Sequence, residues 1–234
     1  MTGTIINVGA VSAGSLLGIA MGSKLPENIQ RTVFDSLGLL TVAIGIQMSL
    51  KTENILIVLG ALLAGSIIGE YLNIEDRLNS FASRVQKLLS LSGHKNFVDG
   101  FVSSSLLFCV GPMAILGSIQ DGLKGDYTIL SMKSVLDGFA SLGLAAALGW
   151  GVFFSIFSVF LYQGAITLAA SYIHSIMTEA MIAEMTATGG LLVLAIGIRL
   201  LQLKDIRIGN MLPALAVAPI LAWLVPVVQS IFRG

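Results

Sequence analysis

Three hydroxyl residues, Ser103, Ser104 and Ser105, enter an apolar stretch that is interrupted a few residues later by Gly111-Pro112. Proline has no N–H and its ring presses on the carbonyl one turn back, so a helix passing this point releases backbone carbonyls. In hydrocarbon such carbonyls are tolerated only against protein or a water-lined cavity. A helix broken there would offer carbonyls to a cation and N–H groups to an anion. The competing reading is a packing kink, with the serines bonded back to carbonyls four residues earlier.

Lys133 and Asp137 are the ionisable counterpart. They stand four apart on one helix face and can neutralise each other. Ionised groups deep in lipid are costly and face an interior path or a partner. Asp137 is expected to be the deepest acid, near the start of its span, acting as proton or cation acceptor with Lys133 tuning its charge. Helix capping or pairing near the interface is its bland alternative. Asp121 and Asp126 flank a polar Gly-Leu-Lys-Gly turn, with Asp121 a secondary candidate. The amides of Gln163, Asn210 and Asn7 sit in or beside apolar runs, where they can meet a solute or bridge two helices.

Other chemistries lack their residues. His94 and His174 have no partner at a metal-ligand or triad spacing. No phosphate-binding or dinucleotide glycine motif occurs. The single Cys109 excludes an internal disulfide and a cysteine-rich metal site. The expectation is a non-enzyme without cofactor or metal. Thirteen basic and 13 acidic residues balance, which gives no reason to expect a nucleic-acid partner.

The elements that position these residues are apolar helices. Hydrophobic residues are 55% of the 234, charged ones only 11%, against roughly 25% in soluble domains. Mean hydropathy is +0.90. The chain accommodates about eight segments of membrane-spanning length. They run near 4–22, 36–50, 54–72, 99–119, 133–149, 152–173, 187–203 and 208–229, the second and fifth being short. Thr2 to Ile6 lack basic residues and read as the start of the first span, not a cleaved signal. Between the third and fourth, Leu78, Phe81, Val85, Leu88 and Leu89 recur at helical spacing, with Arg77, Arg84 and Lys87 on other faces. That pattern predicts an amphipathic surface helix.

With eight spans, Lys24, Arg31, Arg77, Arg84, Lys87, Lys95, Arg199, Lys204 and Arg207 fall on one side, and Lys51, Lys124, Lys133 and Arg233 on the other. Nine against four makes the first side cytoplasmic.

The segments also repeat. Gly38-Leu-Leu-Thr-Val-Ala-Ile-Gly-Ile46 returns as Gly190-Leu-Leu-Val-Leu-Ala-Ile-Gly-Ile198, with seven identities in nine positions, and the register holds from Gly38–Leu72 to Gly190–Leu224. Spans one to three would match spans six to eight in opposite orientation, as in inverted-repeat transporters. Asp99-Gly-Phe and Asp137-Gly-Phe form a weaker internal match.

Four motifs carry a resemblance across essentially the whole chain: Leu106–Gly122, Lys133–Phe139, Tyr162-Gln163-Gly164 and Gly209–Ala214. They resemble a prokaryotic integral membrane family, the domain of unknown function numbered 554. That resemblance implies a multi-pass inner-membrane protein and transporter, and it carries over no site residues.

The expected fold is an all-α polytopic membrane helix bundle of seven or eight spans. Residues 1–72 and 152–229 form inverted three-helix repeats around a central polar helix pair at 99–149, with 73–98 a surface connector. The expected function is secondary transport of a small solute or ion, proton- or ion-coupled, in the cell membrane. A channel and a non-transporting scaffold are the alternatives. The expected partners are the lipid bilayer, that solute and a second copy in a homodimer. The binding candidates are Ser104, Ser105, Gly111, Pro112, Lys133, Asp137, Gln163 and Asn210, with Asp121 and Asn7 secondary.

Overall fold

The computed structural model is mostly helical, and its described residues include no strand. These are all except 23–25, 89–95, 110 and 234, and the side chains of 27, 30, 31, 33, 34, 85, 112, 174 and 226–233 are also outside the description. Lys24, Leu89, His94 and Lys95 therefore lie outside it, as do the side chains of Arg31, Val85, Pro112, His174 and Arg233.

The helices are α1 (Thr2–Gly22), α2 (Glu27–Ser49), α3 (Ile55–Leu72), α4 (Ile74–Leu88), α5 (Phe97–Cys109) and α6 (Pro112–Lys124). They continue with α7 (Thr128–Leu148), α8 (Trp150–Leu168), α9 (Ala170–Ile176), α10 (Glu179–Leu200) and α11 (Ala214–Arg233), a 3-10 turn at Ile208–Met211 preceding the last. Six stretches are long and apolar enough to cross a membrane, and the bent pair α5–α6 makes a seventh. In α2, which is 23 residues long, the described apolar stretch is Asp35–Ser49. Large apolar side chains such as Leu56, Ile67, Phe139 and Leu161 point outward, as a lipid-solvated bundle requires.

Close glycine contacts fix the helix directions. A Cβ on Gly14, Gly18 or Gly22 would strike the carbonyl of Gly138, Leu142 or Ala146, so α1 and α7 run parallel. In α2 and α10 the order reverses: Gly38 faces Leu201, Gly45 faces Leu194, and Gly190 faces Ser49. These two helices are antiparallel. The same holds for α3 and α11, where Gly60 faces Leu221 and Gly65 faces Ala214. Small residues allow this approach, which supplies dispersion contact where lipid gives no hydrophobic drive. α10 is the most enclosed span, with 67% of its apolar window buried.

The fourth apolar segment is broken. α5 stops at Cys109, and α6 restarts with Pro112 in its first turn, where a missing N–H costs nothing. Gly111 is the extended N-cap residue, its carbonyl accepting from Ala114 N–H at 3.1 Å. The two axes differ by 59°. α4 lies between α3 and α5, entered through the left-handed Asn73 (φ 51°). Its acidic first turn and Lys87 in the last turn complement the helix dipole.

The Asp99/Asp137 correspondence does not carry into position. α5 starts at Phe97, so Asp99 lies in a first turn with its side chain 55% exposed. α7 starts nine residues before Asp137, which is therefore a buried mid-helix residue and not one near the start of its span.

Candidate functional site

Asp137 and Lys133 meet as an i,i+4 ion pair inside the bundle, their side chains only 11% and 7% exposed. Asn7 of α1 donates its Nδ2 to Asp137 Oδ2 at 3.0 Å. The parallel packing of α1 on α7 puts this amide within reach. Among the described residues its Oδ1 has no hydrogen-bond partner. The two helices on either side of the break, α5 and α6, both pack against α7, which carries the pair.

Further unpaired polar groups line the same helices. Gln163 on α8 is fully buried, and among the described residues neither amide atom finds a partner. Its neighbours on the inward stripe are Ser155, one turn beyond Val159, and Thr167. Among the described residues the hydroxyls of Thr4 on α1, Ser118 on α6 and Thr167 on α8 are likewise buried and unpartnered. α1, α6, α7 and α8 pack on one another, so these groups belong to one part of the bundle. A buried polar group without a partner costs about 1–3 kcal/mol, so a cluster of them is a candidate for polar contacts that function supplies.

The serines of α5 are engaged. Ser104 Oγ donates to the Gly100 carbonyl, the back-bonding expected of a kink, and Ser105 Oγ donates to Ser158 Oγ at 2.9 Å. Ser103 instead faces a cleft of about 410 Å³ at the mouth of the bundle, together with Asp99, Arg199, Lys204 and Asp205. The break leaves Gly111 partly buried, with open space around its Cα.

Asn210 stands apart from this centre, whereas Asp121 lies at its edge, one turn from Ser118 on α6. Asn210 accepts from Glu75 N–H at 2.7 Å and donates to Glu70, fastening the α3–α4 elbow to the 3-10 turn. Asp121 accepts from Gly3 N–H at 3.1 Å and pairs with the Met1 ammonium at 2.9 Å, so it caps α1. Asp126 caps α7 by accepting from Thr128 N–H and Oγ–H, and these bonds hold its carboxyl below the usual range.

Sequence reasoning missed the charged latches. Arg199 at the end of α10 bonds Glu75 at 3.3 Å, Asp99 at 3.1 Å and Asp205 at 3.3 Å, joining α10 to α4 and α5. Arg207 bonds Glu70 and Asp76. At the opposite end of α10, buried Glu184 accepts from Thr52 Oγ at 2.7 Å and from the N–H groups of Glu53 and Asn54 at 2.8 and 2.9 Å. The available signal was position: each of these charges closes an apolar run. Their partners are far away in sequence, and no spacing rule reaches them. Among the described residues, no group of three or more His, Cys, Asp or Glu is placed to hold a metal.

Two curated bacterial relatives match almost end to end. "Uncharacterized protein YqgA" of Escherichia coli (strain K12) is 35% identical over 92% of this chain and 94% of its own. "Uncharacterized membrane protein YdfK" of Bacillus subtilis (strain 168) is 30% identical over 96% of this chain and 97% of its own. No solved structure matches. The family described as "Protein of unknown function (DUF554)" matches residues 2–223. With six long apolar helices among the described residues and a relative named a membrane protein, this is a multi-pass membrane protein, and the chain belongs to the DUF554 family.

Proposed function

We propose that the protein is a secondary transporter of a small solute or ion, with Asp137 as its coupling group. One observation carries this reading: a buried ion pair, Lys133–Asp137, lies on the helix against which both halves of the broken helix pack, with amide and hydroxyl groups on the surrounding helices that are unpaired among the described residues. A pair that served stability alone would gain little, since a buried ion pair roughly offsets its own desolvation. A proton or cation reaching Asp137 would free Lys133 and Asn7 to reorganise, and the 59° break is the element able to move. Gly111 and Pro112 contribute backbone at the break, and Gln163 contributes an amide nearby. Ser104 and Ser105 support the broken helix from behind.

The antiparallel contacts of α2 with α10, and of α3 with α11, favour an inverted-repeat origin for the two halves. With α2 counted as a span, the excess of Lys and Arg favours the cytoplasmic side for the Arg199 cleft. A homodimer suits a protomer this small.

The test is Asp137→Asn in proteoliposomes, with flux of candidate ions and solutes followed under an imposed pH gradient. Lost or pH-insensitive flux supports the reading. Unchanged flux with unchanged pH dependence removes Asp137 from the mechanism, and flux that never saturates identifies a channel.

A further inference from the structure

We propose that the exposed face of α4 binds the phosphate headgroup of an anionic membrane phospholipid. α4 buries Glu75 and Ala82 and turns Arg77, Phe81, Arg84, Lys87 and Leu88 outward. By helical periodicity Arg77 and Arg84 occupy the middle of that face, two turns apart. Phe81 and Leu88 form one edge, and Ser80 and Lys87 the other. This is the cross-section of a bilayer interface: acyl chains against Phe81 and Leu88, phosphates at the arginines, water beyond Lys87.

The apolar edge is fixed on the correct side. The Phe81 ring lies against Phe101 of the apolar helix α5, centroids 6.3 Å apart. Two grooves flank the stripe, of about 320 and 440 Å³, sharing Asp76, Ser80 and Arg84, with Arg77 and Phe81 in one and Lys87 in the other. Asp76 is the acid in both, and it is already neutralised by Arg207 at 3.0 Å. Among the described residues no ion pair engages Arg77, Arg84 or Lys87, whereas Arg199 and Arg207 are both paired. The three free cations thus face outward beside a hydroxyl donor, and Arg77 and Arg84 are about 10 Å apart along the helix, a spacing that neighbouring lipid phosphates can match. Guanidinium forks hold phosphate oxygens bidentately, which favours an anionic headgroup over a zwitterionic one whose ammonium would meet the same cations.

The experiment titrates the purified full chain in mixed micelles with phosphatidylglycerol, phosphatidylcholine or inorganic phosphate, reading bound lipid by native mass spectrometry. The wild type should retain phosphatidylglycerol over phosphatidylcholine by roughly tenfold or more, and Arg77→Gln/Arg84→Gln/Lys87→Gln should lose most of that preference. Arg77→Lys/Arg84→Lys, which keeps charge and fold, should keep at least part of it. Lys51→Gln/Lys124→Gln, exposed at the other end of the bundle, should change nothing. Retention in the triple variant equal to wild type overturns the proposal. So does displacement of the lipid by millimolar inorganic phosphate, which would make this a site for a soluble anion. Circular dichroism and single-α4 substitutions (Arg84→Gln alone) separate loss of binding from loss of fold.

Discussion

Gly45 and Gly190 pack against each other reciprocally. A Cβ on Gly45 would lie 2.8 Å from the Gly190 carbonyl oxygen, and one on Gly190 would lie 2.8 Å from the Gly45 carbonyl oxygen. These glycines close the contact between α2 and α10.

Enlarging either glycine should separate the two helices. Gly45→Leu or Gly190→Leu is expected to destabilise by about 1–3 kcal/mol or more, the range of overpacking changes. Gly9→Ala, with open space around it, should fall within about 0.5 kcal/mol of wild type. Denaturant unfolding in detergent, followed by circular dichroism, measures the difference.

The buried pair gives a second contrast. Lys133→Met alone leaves a buried carboxylate without its cation, a loss of about 3–5 kcal/mol. Lys133→Met/Asp137→Leu should recover much of that stability while transport stays absent. Stability and flux measured on the same preparations separate the two roles. Recovery of flux in the double variant would exclude the pair from function.

Glu184 anchors the α2–α3 turn through three charge-assisted hydrogen bonds. Glu184→Gln keeps the shape and removes the charge, so a loss of about 1.5–3 kcal/mol is expected. Faster hydrogen exchange at the Glu53 and Asn54 amides should accompany it.

The Arg199 latch predicts accessibility. In a Cys109→Ala background, Ser103→Cys faces the cleft and should react with a water-soluble maleimide, while Ser118→Cys, fully buried, should not. Adding Arg199→Gln frees Glu75 and Asp99 and should raise the Ser103→Cys rate severalfold.

Asp126 sets a pH test. Its carboxyl is held below the ordinary value chiefly by the Thr128 side-chain bond, so its stabilisation is present above the unfolded pKa and fades as pH falls through the folded one. Asp126→Asn should be less stable than wild type at neutral pH. That gap should close only once the pH is below the ordinary aspartate range, as thermal scans in acidic buffers would record.

The membrane helices were legible because apolar length is a direct physical requirement of the bilayer. Gly111-Pro112 announced the break for the same reason: proline at that point cannot continue a ladder. The boundaries of α7 were less legible. Apolarity begins near Lys133, but the helix starts at Thr128, capped by Asp126, and those five residues shift Asp137 from an end to the middle. Asn210 shows the other limit. An amide before a proline reads equally as ligand or strut, and only the placement of Glu70 and Glu75 decides for strut. The role of Gln163 was readable as an interhelical bridge, yet it bridges nothing among the described residues.

The match between α2 and α10 also constrains how the chain is made. The glycine-lined surface that α2 docks against emerges from the ribosome roughly 150 residues later. At 5–20 residues per second that interval is on the order of 10 s. Through that interval the nascent α2 lacks its docking partner. Its close packing is therefore a late event, completed only when α10 enters the bilayer beside it.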